Sequence, residues 1–244
     1  AQTLAVYALL DELRSRHPSV EFESCASGGG RIDLEILRRA ERVWTSDCND
    51  ALERQTIQRG ASMLLPPEVM GAHIGPRRSH TTGRRHTLAF RAATALFGHL
   101  GVEWNVVRLD VDERAQLADA IALHKRFRPL LHWGDVVRFD TEVPYLAHGM
   151  YAADRSEALV SFAQLTTGPS LTPPPLRLPG LDPDRRYRVE HVALPGERWG
   201  LASTQPAWLA DGVELTGRQL AAHGLRPPAL HPESAVLLHL RAPH

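Results

Sequence analysis

Strand-like and helix-like segments alternate along residues 1–130 of this 244-residue chain. Helical patterns are predicted for residues 1–16, Leu34–Arg39, Asp50–Arg59, Thr87–Leu100 and Glu113–Arg128. Strands are predicted at Val20–Cys25, Arg42–Thr45, Ser62–Leu65 and Val102–Val107. This alternation is typical of a parallel sheet with helices outside it. A complete (β/α)8 TIM barrel takes about 250 residues, so we expect about half of one here.

The pattern changes after Pro129. Short strands separated by turns rich in Pro and Gly are predicted at Leu131–Phe139, Gly149–Ala153, Ala158–Leu165, Arg186–Ala193 and Ala235–Arg241. Short strands with frequent turns indicate an antiparallel β-sandwich. The predicted fold class is therefore α/β plus all-β, with the partial barrel in residues 1–130 and the sandwich in residues 131–244.

Charge and composition exclude several classes of partner. The 28 Lys and Arg residues balance 28 Asp and Glu residues, so no net charge favours nucleic acid or an anionic membrane. No apolar run is long enough to span a membrane, and no signal peptide precedes the first helix. With two cysteines, we expect reduced thiols and a cytoplasmic protein, although a single Cys25–Cys48 bridge stays open. Because the chain starts inside a helical pattern without Met, we expect it to be part of a longer protein.

Candidate site residues follow two of the predicted strands. In parallel α/β folds, ligands bind where strands end and loops lead to the next helix. Asp47 lies at such a position, and Asp50 is better placed than Asp47 to cap the following helix. Gly28–Gly30 match neither the dinucleotide nor the P-loop fingerprint. A flexible turn and a close approach to a ligand both stay open for these glycines.

The histidines and tryptophans carry a weaker signal. His73, His80 and His86 are predicted to be loop residues, solvated or hydrogen-bonded, because their spacing fits no compact zinc pattern. No metal site is therefore expected. His124 is predicted to lie in the core or at its boundary. Trp104 and Trp133 are either sugar platforms or, as we favour, packing residues between barrel and sandwich.

Four motifs stand in order along the first half of the chain. They are Cys25–Asp33, Trp44–Asp47, Ile57–Gly60 and Pro66–His73, and they are followed by His80–Arg84. Together they resemble the family 36 glycoside hydrolases, the microbial α-galactosidases. The resemblance implies a catalytic (β/α)8 barrel followed by a C-terminal β-domain, and retaining cleavage of terminal α-galactosyl residues. Cys48 departs from the family pattern, which commonly has Asn or another polar residue there.

The resemblance also implies roles for individual residues. Asp47 matches the catalytic acid/base, and Cys25, Ser27, Gly28 and Trp44 match the substrate-binding side of the pocket. A retaining glycosidase needs a second carboxylate as nucleophile. The Lys–Trp–Asp–Met–Asn-like segment that carries it in this family is absent from the chain. No metal or organic cofactor is expected.

We therefore expect the second half of an α-galactosidase barrel plus its C-terminal domain, inactive alone because the nucleophile is missing. The expected partners are α-galactoside oligosaccharides and the missing N-terminal half of the enzyme. A half barrel exposes strand edges, so homo-oligomerisation is also expected. The alternatives are an α-N-acetylgalactosaminidase, a galactosyl-transferring relative, or a non-catalytic carbohydrate-binding or assembly module.

Overall fold

The computed structural model describes residues 1–26, 28–30, 32–197 and 205–243. Its first part contains α1 (Gln2–Arg16), β1 (Glu23–Ser24), α2 (Leu34–Leu37), β2 (Arg42–Trp44), α3 (Ala51–Ala61), β3 (Met70–Ile74), α4 (Leu88–Ala95), β4 (His99–Val102) and α5 (Val111–Trp133). The four strands form one parallel sheet in the order β1-β2-β3-β4. None of the helices in the described ranges is long and apolar enough to cross a membrane.

The second part is built on an antiparallel sheet. Its elements are β5 (Asp135–Arg138), β6 (Tyr145–Tyr151), β7 (Glu157–Gln164), β8 (Arg186–Val192), α6 (Trp208–Asp211), β9 (Val213–Thr216), α7 (Gly217–Ala222) and β10 (Ser234–Arg241). The six strands follow the order β5-β6-β7-β10-β8-β9. The predicted fold class is confirmed as a partial barrel followed by an antiparallel β-domain. The division at residue 130 stays a prediction, and α5 continues through it to Trp133.

The two faces of the antiparallel sheet serve different purposes. In β7, Val160 and Phe162 point into the core of the β-domain, while Leu159 and Ala163 point towards the barrel helices. This alternation follows from the two-residue period of a strand. The barrel-facing side packs on Phe90, Phe97, Phe127, Leu130 and Leu131 of the α4 and α5 regions. The sheet is therefore fixed to the barrel by a shared apolar core.

Polar contacts also join the two parts. The Arg59 guanidinium at the end of α3 donates to the carbonyl oxygens of Ala147 at 3.2 Å and Phe139 at 3.1 Å. His148 on β6 packs edge-on against Phe97, with ring centroids 4.6 Å apart. Burial lowers the pKa of His148 to about 4, so its imidazole is neutral at pH 7.

The predicted strand Ser62–Leu65 is wrong, because these residues form the turn that leaves α3. The third strand is Met70–Ile74, in the segment predicted to be a loop because of its Pro and Gly residues. Gly71 is needed inside this strand: a Cβ there would lie 3.0 Å from Cε3 of Trp44. Here glycine marks a close approach of neighbouring strands.

The predicted helix Thr87–Leu100 is too long. It ends at Ala95, and His99–Val102 forms β4 instead of the predicted strand Val102–Val107. A continuous apolar run does not separate a buried helix from a buried strand. Gly98 lies between the helix and β4, where only glycine fits because a Cβ would lie 2.7 Å from the Met70 carbonyl oxygen.

Other predicted elements differ mainly in length. Val20–Cys25 contributes only β1, and Leu34–Arg39 ends at Leu37. The helix predicted at Glu113–Arg128 begins earlier, at a capping box between Asp110 and Glu113. It also continues past Pro129, so the strand predicted at Leu131–Phe139 begins at Asp135. Strand β9 was not predicted.

The two tryptophans have different surroundings. Trp133 is 86% exposed, so the predicted packing of Trp133 between barrel and sandwich is wrong. Trp104 packs within the barrel, beside the helices α4 and α5, and Cζ of Arg91 lies 4.6 Å from its ring centroid. His124 is buried, as predicted.

Candidate active site

A groove at the C-terminal edge of the parallel sheet contains Asp47. The β2–α3 loop, residues 45–50, places the exposed Asp47 side chain beside residues from all four strand ends. The groove is lined by Glu23, Trp44, Asp47, His73, His80, Val102 and Glu103. This edge is where parallel α/β folds bind ligands.

Arg54 of α3 holds the β2–α3 loop in place. Its side chain is almost completely buried and donates to the Cys48 carbonyl at 2.7 Å and to Thr45 Oγ1 at 2.9 Å. It also donates to the carbonyls of Ser46 and, at 3.3 Å, Gly71. One guanidinium therefore fixes both sides of Asp47. The helical signal at Asp50–Arg59 placed Arg54 on α3 but did not reveal this role.

Burial weakens the basicity of Arg54. It lowers the pKa of the guanidinium to about 10, and the nearby acidic groups of Cys48, Glu103 and Asp47 partly offset the effect. The charge is retained at pH 7 because even the lowered value lies well above neutrality. Cζ of Arg54 also lies 4.2 Å from the ring centroid of Trp44, which adds a cation–π contact.

His73 and Glu103 form a second polar group in the groove. The His73 ring lies 4.2 Å from the Trp44 ring, and its Nδ1 lies 3.4 Å from Oε2 of Glu103. The same Glu103 oxygen accepts from the Asn49 side chain at 3.0 Å. His73 belongs to β3, so its predicted loop position is wrong. The sequence gives no signal for this pair, because it predicts a loop at His73 and places Glu103 near the start of a strand.

The structure separates the predicted substrate-binding residues. Trp44 is buried along the groove of Asp47, but Cys25 lies exposed in a neighbouring groove between β1 and α1. Ser27 lies outside the described residues. Cys25 and Cys48 are both free, so the alternative of a bridge between them is not realised. Within the described ranges, no group of three or more His, Cys, Asp and Glu side chains suits a metal ion.

Gly28 brings the first glycine-rich loop against Asp47. Its φ is +69°, and a Cβ at this position would lie 2.6 Å from the backbone nitrogen of Asp47. The left-handed conformation and the close approach both require glycine. The structure therefore explains Gly28 by its close approach to the loop of Asp47, and a close approach to a ligand stays a prediction.

Replacing Gly28 with Ala is expected to lower the free energy of unfolding by at least about 1–2 kcal/mol, because the residue is strained at positive φ. Gly60→Ala is the matched control. Gly60 is helical and a Cβ there meets nothing within 4 Å, so this change should stabilise the chain by up to about 1 kcal/mol. Urea denaturation of both variants measures the difference. Equal effects would contradict the account of Gly28.

Asp50 is the N-cap of α3, as predicted. It is completely buried and accepts from the backbone nitrogens of Leu52 at 2.9 Å and Glu53 at 3.2 Å. Burial acts to raise the pKa of Asp50. The hydrogen bond from Thr82, the backbone donors and the charge of His86 outweigh burial, so the net pKa is lower than usual.

Comparisons with known proteins agree with this geometry. The family profile described as Melibiase matches residues 1–134, and the one described as glycosyl hydrolase family 36 C-terminal domain matches residues 145–240. The chain is 48% identical to an Escherichia coli α-galactosidase over 98% of its own length and 35% of the relative's. It is 36% identical to α-galactosidase 2 of Hypocrea jecorina over 78% of its length and 26% of the relative's.

Solved structures show the same similarity. The GH36 α-galactosidase AgaA of Geobacillus stearothermophilus superposes with a TM-score of 0.85 at 30% identity, covering 98% of this chain and 31% of that one. A variant of AgaA in complex with raffinose superposes with a TM-score of 0.84. The chain thus spans about a third of the length of the relatives it matches. With both of its parts matched in order, the chain belongs to glycoside hydrolase family 36.

Proposed function

We propose that this chain supplies the acid/base half of a retaining α-galactosidase. The position of Asp47 supports the proposal most strongly. Its carboxylate lies at the C-terminal edge of the half barrel, in a loop fixed by Arg54 and by the close approach of Gly28. Asp50 caps the helix, so Asp47 has no capping role and is free for chemistry.

The proposed reaction is a double displacement. A carboxylate from the preceding part of the barrel attacks the anomeric carbon while Asp47 protonates the glycosidic oxygen that leaves. Asp47 then takes a proton from water, which attacks the galactosyl-enzyme and releases galactose with the α configuration retained. Trp44 and Gly28, which lie beside Asp47, are proposed to contact the galactosyl ring. For Ser27, and for Cys25 in the neighbouring groove, this contact stays a prediction.

The proposed substrates are oligosaccharides with terminal α-galactosyl residues. Structures of AgaA variants in complex with raffinose and with stachyose support this substrate class. We also propose that Cys48 alters one side of the pocket without displacing the carboxylate. Its Sγ lies 3.4 Å from Thr81 Oγ1, and its backbone is held by Arg54.

The proposed partner is the preceding half of the barrel. Helix α1 has no buried residue, and Leu4 and Leu9 are 72% and 56% exposed. Among the residues that the structure describes, strand β1 pairs with β2 alone and so forms an edge of the sheet. Exposed apolar side chains on a helix beside an open strand edge favour association. Homo-oligomerisation and a cytoplasmic location stay predictions, the former testable by light scattering.

Complementation tests this function. The chain alone is expected to show no turnover of p-nitrophenyl α-galactoside, because it lacks the nucleophile. Mixed with the part of the Escherichia coli relative that precedes the matched region, it should gain activity. The same mixture made with Asp47→Asn is the control and should stay inactive towards raffinose. The proposal would be contradicted if the chain alone turned the substrate over and Asp47→Asn abolished that turnover.

A further inference from the structure

The β3–α4 loop, residues 75–87, is joined to the loop that carries Asp47. Thr81 contacts Cys48, as described above, and the Thr82 hydroxyl donates to Oδ2 of Asp50. Nη1 of Arg84 lies 3.4 Å from the same carboxylate oxygen. Asp50 is the last residue of the β2–α3 loop and the N-cap of α3. The β3–α4 loop therefore contacts both the middle and the end of the β2–α3 loop.

The same loop reaches the C-terminal domain through His86. Nε2 of His86 lies 3.2 Å from Oε2 of Glu233 and 4.0 Å from Oδ1 of Asp50. The side chains of His86 and Asp50 are 2% and 0% exposed, and that of Glu233 is 37% exposed. The imidazole thus lies between two carboxylates, that of Asp50 in the barrel part and that of Glu233 in the C-terminal domain. Water screens charges only weakly at such a buried position.

Glu233 is held in an unusual backbone conformation. Its φ is +58°, a left-handed value that residues other than Gly rarely adopt. The backbone nitrogen donates to the Gln164 carbonyl at 2.8 Å, immediately before β10 begins. Such strain persists only where the surroundings fix the residue, and it is concentrated at functional positions. Here it places the carboxylate against His86.

We propose that Glu233 of the C-terminal domain is a positioning residue for the β2–α3 loop, acting through His86 and Asp50. The proposal rests on the proposed function only where it treats Asp47 of that loop as the acid/base. It gives the C-terminal domain a part in catalysis without contact with the substrate. The negative charge of Glu233 holds His86, and His86 with Thr82 and Arg84 holds Asp50 at the start of α3.

The chain contains a matched control for this pair. Nε2 of His239 lies 2.6 Å from Oε1 of Glu157, with side chains 4% and 39% exposed. Glu157 and Glu233 lie at opposite ends of the β7–β10 ladder, where Ser234 faces Gln164 and Arg241 faces Glu157. At about 3.3 Å per residue, the two pairs are separated by about 20 Å. Loss of either pair removes one Glu–His contact at one end of the same ladder.

Hydrogen–deuterium exchange of this chain tests the proposal without requiring activity. Glu233→Gln is expected to speed exchange at least fivefold in the peptide covering residues 45–54, whereas Glu157→Gln should change it less than twofold. Glu233→Asp keeps the charge and should restore exchange to within twofold of the wild type. In a chain that already carries His86→Gln, Glu233→Gln should not speed exchange of residues 45–54 any further.

Two outcomes would overturn the proposal. One is unchanged exchange over residues 45–54 in Glu233→Gln; the other is equal acceleration in Glu157→Gln. A kinetic arm uses the complemented enzyme, in which Glu233→Gln should reduce turnover of raffinose at least fivefold more than turnover of a dinitrophenyl galactoside. Complete inactivity of the wild-type mixture would refute the proposed function, while the exchange results would still decide the role of Glu233.

Discussion

Replacing Asp47 with Ala in the complemented enzyme is expected to lower kcat/KM for raffinose by about 10²–10⁴-fold, the usual contribution of a general acid. The sugar alkoxide that leaves raffinose needs a proton in the transition state. A dinitrophenolate is stable without one, so formation of the galactosyl-enzyme from a dinitrophenyl galactoside should be slowed far less. Steady-state and burst kinetics with both substrates measure the difference.

Asp33→Asn is the matched control for this prediction. Asp33 also follows a strand of the parallel sheet, but its side chain accepts from the Ile36 nitrogen and caps α2. Because Asn caps a helix about as well as Asp, this change should leave the stability nearly unchanged. The activity of this variant relative to the wild type should not depend on the leaving group of the substrate. If Asp33→Asn and Asp47→Ala showed the same dependence on the leaving group, Asp47 would not be the acid.

Replacing Arg54 with Met should lower the free energy of unfolding by about 3–5 kcal/mol. Met fills much of the buried volume but donates no hydrogen bond. The carbonyls of Ser46, Cys48 and Gly71 would then lose a charged donor in a site that water reaches poorly. This loss is a large fraction of the total stability of a protein, which is usually only about 5–15 kcal/mol. Urea denaturation followed by circular dichroism measures it.

Arg38→Met provides the comparison for Arg54. The Arg38 side chain is 73% exposed and pairs with Glu35 at 3.2 Å, and exposed pairs contribute about 0–1 kcal/mol. The complemented Arg54→Met enzyme should also lose more activity towards raffinose than its residual folded fraction explains. A cost below 1 kcal/mol for Arg54→Met would show that the β2–α3 loop is held by other contacts.

Features encoded by neighbouring residues could be predicted from the sequence. Asp50 was identified as the cap of α3 because an N-cap interacts with the backbone two or three residues later. The strands Ala158–Leu165 and Arg186–Ala193 were found within about one residue for a similar reason: they alternate with period two. The boundary between α4 and β4 was missed, since both elements are apolar and buried.

The supporting contacts of the candidate site could not be predicted in the same way. Asp47 was identified from the order of motifs, a signal carried by the family resemblance. Arg54, Glu103 and the pair His86–Glu233 depend on which loops meet after folding. No local pattern distinguishes the buried Arg54 from the exposed Arg38, because each occupies an ordinary helical or turn position. The predicted placement of Trp133 was wrong for the same reason.

Azide rescue of Asp47→Ala tests the assignment of the acid/base most directly. In the complemented variant with a dinitrophenyl galactoside, azide should accelerate release of the galactosyl group. If Asp47 is the acid/base, azide attacks the galactosyl-enzyme from the face that Asp47 vacated, and the product is α-galactosyl azide. If Asp47 were the nucleophile, azide would displace the leaving group directly and give β-galactosyl azide. The β anomer, or no rescue at all, would contradict the account.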